Sequence, residues 1–339
     1  MSAPLLAYLQ QAQVFRPDPD YAQLAAVHLP YDDLTGRRRT EAIVRQAAAA
    51  GRPVAVVGER GSGKSSVLAY ALTGDGGLPD GFAPYAVPFR GERLEVVTDL
   101  HRFLRLLVTR MCKDAGIVVD EARRRGALAA SGEIQQSRLD HELGARLGLP
   151  AWLLDVGLSY GITQGANTFT ETFGDDALAA ANDLLDALRE AGRAPYLVLD
   201  DSDALLRTLG SDRLAAAAGF FDAVLEPLLQ GLECGVAVAV QPEYETLAGW
   251  DAMRDRFEAV VHVPALPAPA ETVPRILARR LERRGASLAV FEPGAVERLA
   301  RYYQMRGRVR TLLRVATVAL GWAVADRRDR QAVEEDAQR

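Results

Sequence analysis

Apolar residues fall into two kinds of pattern along this chain. Short runs occupy 54–57, 195–199, 235–240 and 260–263, the last interrupted by His262. Each is too short for a helix and is bounded by turn residues. Each therefore predicts a strand, apolar because both of its faces are covered. Residues 83–88, with Pro84 and Pro88 near the ends, predict one more.

Between these runs the apolar residues repeat at helical spacing. Leu100, Phe103, Leu104, Leu107, Val108 and Met111 form one stripe, with Thr98 as the expected cap. Leu178, Ala181, Leu184, Leu185 and Leu188 form a second, ended by Gly192. Phe220, Phe221, Val224, Leu225 and Leu228 predict a single helix over 213–231. Further helices are expected over 38–50, from Lys64 to about Leu72, and briefly over 253–257. Strands alternating with helices predict an α/β domain built on a parallel sheet.

The pattern changes after the last strand. Pro264, Pro267, Pro269 and Pro274 read as a linker, followed by helices over 271–284, 293–303 and 308–325. Residues 326–339 read as a frayed, charged tail. Residues 1–35, punctuated by Pro17, Pro19 and Pro30, are expected to lie extended over the body, with 31–37 a turn. The stretch 115–175 is the least patterned. Its Arg123–Arg125 cluster reads as a solvated helix face, and 152–170 reads as a hairpin or an edge insertion. The expected organisation is thus an extension (1–35), an αβα domain (36–264) with an insertion (115–175), a helical region (265–325) and the tail.

Charge and composition narrow the function classes. The formal net charge is −5 over 339 residues, which argues against a protein that coats nucleic acid generally. Cys112 and Cys234 form no CxxC pair and fit a reducing compartment. His28, His101, His141 and His262 are scattered and read as packing or surface residues, not metal ligands. No apolar run reaches membrane-spanning length and no signal-like N-terminus is seen, so the expectation is a cytoplasmic protein without membrane contact.

The candidate chemistry sits directly after the first strand. Gly58-Glu59-Arg60-Gly61-Ser62-Gly63-Lys64-Ser65 fits the phosphate-loop pattern G-x-x-x-x-G-K-[ST], and Ser66 follows at the helix start. Glycines let successive backbone N–H groups turn toward phosphate oxygens, and the helix starting at Lys64 adds its positive end. Lys64 reaches the outer phosphates and the Ser65 hydroxyl ligates Mg²⁺. Lys64 is one of two lysines in the chain, the other being Lys113; every other cation is arginine. A compact ammonium thus stands where a planar guanidinium would fit poorly. The strand 195–199 ends in Asp200-Asp201. Asp200 is the candidate magnesium residue, and Asp201 the candidate for orienting or deprotonating water. Gln241, at the end of another strand, is positioned to contact water or the terminal phosphate, or simply ends its strand.

Four signatures stand in order: the 58–65 loop, Leu199-Asp200-Asp201, Arg254 and Arg256 before the last strand, and Gly307-x-x-Arg310 among the C-terminal helices. Together they resemble an AAA+ ATPase. The likeness is strongest to the origin-recognition-complex-like branch and to signal-transduction and transposition-regulating ATPases. The resemblance implies a P-loop NTPase αβα sandwich with a parallel 5-1-4-3-2 sheet and a small helical lid. It implies Mg-ATP hydrolysis at the interface of a homo-oligomer, ring or helical, acting on a protein partner. Gln241 would then be the sensor-1 residue and Arg310 the sensor-2 arginine. Arg256, or else Arg254, would be the finger given to a neighbouring subunit. Three departures stand out. Asp201 replaces the more usual Glu, Gln241 replaces Asn or Thr, and no winged-helix part follows the lid. They leave two alternatives to an assembly switch: a regulator that polymerises on DNA, and a nucleotide-binding scaffold with little turnover.

Overall fold

The computed structural model describes residues 3–16, 21–35, 39–73, 77–89, 94–113, 127, 174–202, 213–247, 249–292 and 294–337. Arg123–Arg125, His141 and the expected 152–170 hairpin lie outside these residues.

Five strands form one all-parallel sheet: β1 (Val54–Val57), β2 (Phe82–Pro88), β3 (Ala194–Asp200), β4 (Gly235–Val240) and β5 (Ala259–His262). Their order is β2-β3-β4-β1-β5, which read from the β5 edge runs 5-1-4-3-2. β1 lies between β4 and β5, with Val57 opposite Val240 on one side and His262 on the other. All of β1 and β4 is buried.

The pleat divides the core in two, because alternate side chains leave a strand on opposite faces. Ala55, Val57, Leu197, Leu199, Val236 and Val238 face one cluster. That cluster is completed by the helices α6 (Leu94–Val97), α7 (Leu100–Lys113), α8 (Gly174–Glu190), α9 (Arg213–Phe220), α10 (Glu226–Gly231) and α11 (Trp250–Arg254). Val54, Val56, Tyr196, Val198, Ala237 and Ala239 face the other. It is completed by the helices α1 (Ala3–Gln11), α4 (Thr40–Ala49), α5 (Lys64–Thr73), α12 (Pro269–Glu282), α13 (Ala295–Arg306) and α14 (Val309–Ala337). The C-terminal helices therefore share a continuous core with one face of the sheet.

Several expectations are corrected. Among the described residues of 1–35, α1 and the turn after it are followed by α2 (Tyr21–Val27) and α3 (Tyr31–Thr35). Helices this short are marginal alone. These ones bury Leu6, Leu9 and Leu24, with α1 packing on α14 and α2 on α5. The side chain capping α7 is Asp99, not Thr98, since its carboxylate accepts from Arg102 N–H at 2.9 Å. The single helix expected over 213–231 is broken by a π-helical turn, Phe221–Leu225. The wider turn lets the consecutive Phe220 and Phe221 both reach the core, where they stack edge-on among Phe89, Tyr244 and Trp250. Pro269 starts α12 and Pro274 lies inside it, so neither belongs to a linker. One backbone hydrogen bond is lost, against the burial of Val273, Ile276, Leu277 and Leu281. The tail continues α14 as helix to Ala337, in a segment rich in the helix formers Arg, Gln, Ala and Glu.

Candidate functional site

Gly58 extends the ladder of β1, its N–H donating to Val240 O at 3.1 Å, and the chain then turns toward α5. Gly58 is fixed by space: a Cβ there would lie 2.7 Å from Ser62 Oγ and 3.2 Å from Val263 Cβ. Gly63 is fixed by backbone, with φ +113°, a region other residues avoid. Gly61, which the loop pattern leaves open, also needs its glycine. Its φ is +80°, and a Cβ would lie 3.0 Å from Arg310 Cβ. Lys64 is buried and folds back over the loop, its Nζ donating to Gly58 O at 2.6 Å and Glu59 O at 3.1 Å. Ser62 Oγ is buried without a hydrogen-bond partner.

The sheet order brings the second half of the site alongside. β4 separates β1 from β3, so Gln241 stands between the loop and Asp200 along the carboxyl edge of the sheet. Asp200 is buried and accepts from Asp201 N–H at 2.8 Å. Burial, and then the charge of Asp201, push its carboxyl up to about 6, although Ser65, the Asp201 N–H and Lys64 pull the other way. Asp201 itself is left-handed at φ +59°. The next residue anchors this bend: Ser202 Oγ donates to Ala239 O, and Ser202 O accepts from Tyr244 OH at 2.6 Å. Gln241 is buried.

The C-terminal helices meet the loop directly. Arg310 N–H donates to Gly61 O at 3.3 Å, and Arg308 lies 3.8 Å from Glu59. On the α5 side, His28 Nδ1 lies 2.9 Å from Ser66 Oγ and its Nε2 lies 2.7 Å from Glu41 Oε1. Tyr31 donates its N–H to the same Glu41 oxygen at 3.0 Å and its hydroxyl to Ser62 O at 3.4 Å. A small cavity of about 60 Å³ opens here between Leu29, Tyr31, Gly63, Leu266 and Val309. Tyr21 brings a further buried hydroxyl without a hydrogen-bond partner. Its pKa is raised by burial first and then by the charges of Asp200 and Asp201.

Sequence reasoning missed His28, Glu41, Tyr21 and the full role of Tyr31. The signal available was weak: an isolated His before a turn, whose partners lie 13 and 38 residues away. The finger candidates are placed elsewhere. Arg256 pairs with Glu226 at 3.0 Å, with both side chains well exposed, while Arg254 lies near Asp251 and Asp255. Phe257 is buried beside them. Neither arginine has a described contact with the loop of its own chain.

No protein-family model matches the chain, and no curated protein matches it.

The arrangement is suited to holding a phosphorylated ligand. The unpartnered Ser62 Oγ, the curled loop and the α5 N-terminus converge where Lys64 is held, and all are donors. Among the described residues no cluster of three or more His, Cys, Asp or Glu could hold a metal ion. The Ser65–Asp200 pair instead fits Mg²⁺, which takes one or two protein oxygens and completes its shell with water and phosphate. No described helix is long and apolar enough to cross a membrane.

Proposed function

We propose that this protein is an ATPase of the AAA+ type, a P-loop NTPase that binds Mg-ATP and works as a nucleotide-gated assembly switch. One observation carries the reading. A complete phosphate loop leaves β1 while Asp200, two strands away, has a buried carboxyl on which Ser65 and Lys64 of that loop act. When bound, Mg-ATP supplies a phosphoanhydride and a divalent charge. The amides of Gly58 to Ser66 and the Lys64 ammonium hold the phosphates, and Ser65 with Asp200 holds the cation. Asp201 orients or deprotonates the attacking water, beside Gln241. Arg310 is carried to the site by the backbone contact of α14 with Gly61. Arg256 of a neighbouring subunit supplies the remaining positive charge, which requires Arg256 to leave Glu226. The Tyr31–Leu266–Val309 cavity is small for a nucleobase, so binding calls for movement of the lid helices α12 to α14 away from the loop.

The Arg256–Glu226 pair and the short Asp201 side chain favour one second reading, a scaffold that binds nucleotide with little turnover. A steady-state ATPase assay with and without duplex DNA decides. The switch reading expects turnover that rises with protein concentration and is indifferent to DNA. Turnover seen only with DNA would point to a DNA-bound polymerising regulator. Binding without turnover would point to the scaffold.

A further inference from the structure

A second, larger cavity of about 380 Å³ lies where the N-terminal segment meets α12. Four arginines line it: Arg16, Arg280, Arg283 and Arg284. Among the described residues, the other polar side chains of its wall are glutamines, with neither Asp nor Glu. This is a concentration of positive charge in a chain whose net charge is −5. Two of the guanidiniums are held by neutral groups. Arg280, which is buried, donates from Nη1 to Arg16 O at 3.0 Å, and Arg283 donates from Nε to Ala26 O at 3.1 Å. Among the described residues, none of the four is in an ion pair.

A buried guanidinium such as that of Arg280 normally faces a carboxylate, because removing the charge from water is otherwise costly. Here burial alone pushes Arg280 down to about 10, and carbonyl dipoles offset the charge without cancelling it. A cavity of this size is ordinary for a small ligand. Arginine forks match phosphate oxygens two at a time, and glutamine amides can read the rest of a polar molecule. We propose that this cavity is a binding site for a small phosphorylated molecule carrying at least two negative charges, separate from the phosphate loop. The four arginines line one cavity of small-ligand size, with Arg280 buried in its wall and the other three exposed, which suits a small molecule better than a nucleic-acid strand.

Calorimetric titration of the full chain with inorganic pyrophosphate tests this, using wild type, Lys64→Ala, Arg284→Gln and the two combined. Arg284 has no described partner, so its replacement leaves the tie to the N-terminal segment intact. Lys64→Ala removes binding at the loop, and the binding that remains belongs to the arginine cavity. Adding Arg284→Gln weakens that remaining binding by about tenfold or more, the usual loss for a charge-assisted contact. Arg284→Lys keeps the charge but loses the fork, and falls between. The proposal is overturned if Lys64→Ala abolishes all pyrophosphate binding. It is equally overturned if neither Arg284→Gln nor Arg283→Gln changes what Lys64→Ala leaves. Binding in Lys64→Ala identical to wild type, yet sensitive to Arg284→Gln, supports this site and counts against the phosphate-loop reading instead.

Discussion

Lys64 lies buried against the carbonyls of Gly58 and Glu59, whereas Arg256, just beyond α11, lies exposed against the carboxylate of Glu226. Arg275 and Arg280 of α12, and Arg283 just after it, resemble Lys64: their described partners are the carbonyls of Asp33, Arg16 and Ala26. The difference lies in what remains after each contact forms. A carboxylate neutralises its cation, and an exposed pair of this kind contributes about 1 kcal/mol at most. A carbonyl satisfies the hydrogen-bond donor and leaves the charge, which in Lys64 also acts on the Asp200 carboxyl. The acid-paired corner can be built for shape alone, while the carbonyl-held cations are poised for ligands.

Removing Arg256 is the harshest way to break this contrast. If the finger role is right, Arg256→Ala lowers ATP turnover by about 10³-fold while nucleotide affinity is kept. Its folding stability should shift by about 1 kcal/mol or less, as expected for an exposed pair. Mixing it with Lys64→Ala protein should restore some turnover, because mixed interfaces join an intact loop to an intact finger. Unchanged turnover would leave Arg256 a surface partner of Glu226 and favour the scaffold.

Asp200 sharpens the contrast from the anionic side. Its carboxyl is raised from 3.8 to about 6 in the folded, ligand-free protein. For a raised acid, the stabilisation is fully present below the unfolded value and is lost as pH rises through the folded one. The ligand-free protein therefore loses stability from this group between about pH 4 and pH 6. Asp200→Asn should remove that loss, a gain on the order of 3 kcal/mol at neutral pH and little below pH 4. Urea unfolding in chelator at several pH values reads it, and an equal effect at all pH values would contradict the account. The same variant should weaken Mg²⁺-dependent nucleotide binding.

Asp201→Asn is expected to keep nucleotide and Mg²⁺ and to slow single-turnover hydrolysis by about 10²-fold. Equal hydrolysis would move the water-activating role to another residue. The smallest effect is expected at Arg283, where Arg283→Ala removes one hydrogen bond to the N-terminal segment. That should cost about 1 kcal/mol in thermal unfolding. A loss of several kcal/mol would mean that the α12 arginines are structural clamps and not surplus charge.

The parts of the site fixed by contiguous sequence were legible. The loop needs glycine at fixed spacing for steric reasons, and a covered parallel strand must be apolar throughout, so β1, β3, β4 and the place of Asp200 at the end of β3 announced themselves. Features that depend on distant partners were hidden. Nothing local in Met253 to Phe257 indicates that Arg256 will meet Glu226, 30 residues upstream. The helices of residues 1–35 were masked by their prolines and owe their stability to packing, not to propensity. Pro274 looked like a linker residue because the burial of its neighbours on α12 is a tertiary effect. The arginines of α12 read as one charged helix face, and their meaning appears once the carbonyls of the N-terminal segment are seen against them.

The central claim is that the carbonyl-held Lys64 marks a phosphate site. Its most direct test is equilibrium titration of wild-type and Lys64→Ala protein with a fluorescent ATP analogue in Mg²⁺. The account predicts saturable, Mg²⁺-dependent binding by the wild type. It predicts affinity lower by about tenfold to a hundredfold in Lys64→Ala, with unchanged circular dichroism. Equal affinity in the two proteins would place the nucleotide elsewhere and contradict the account.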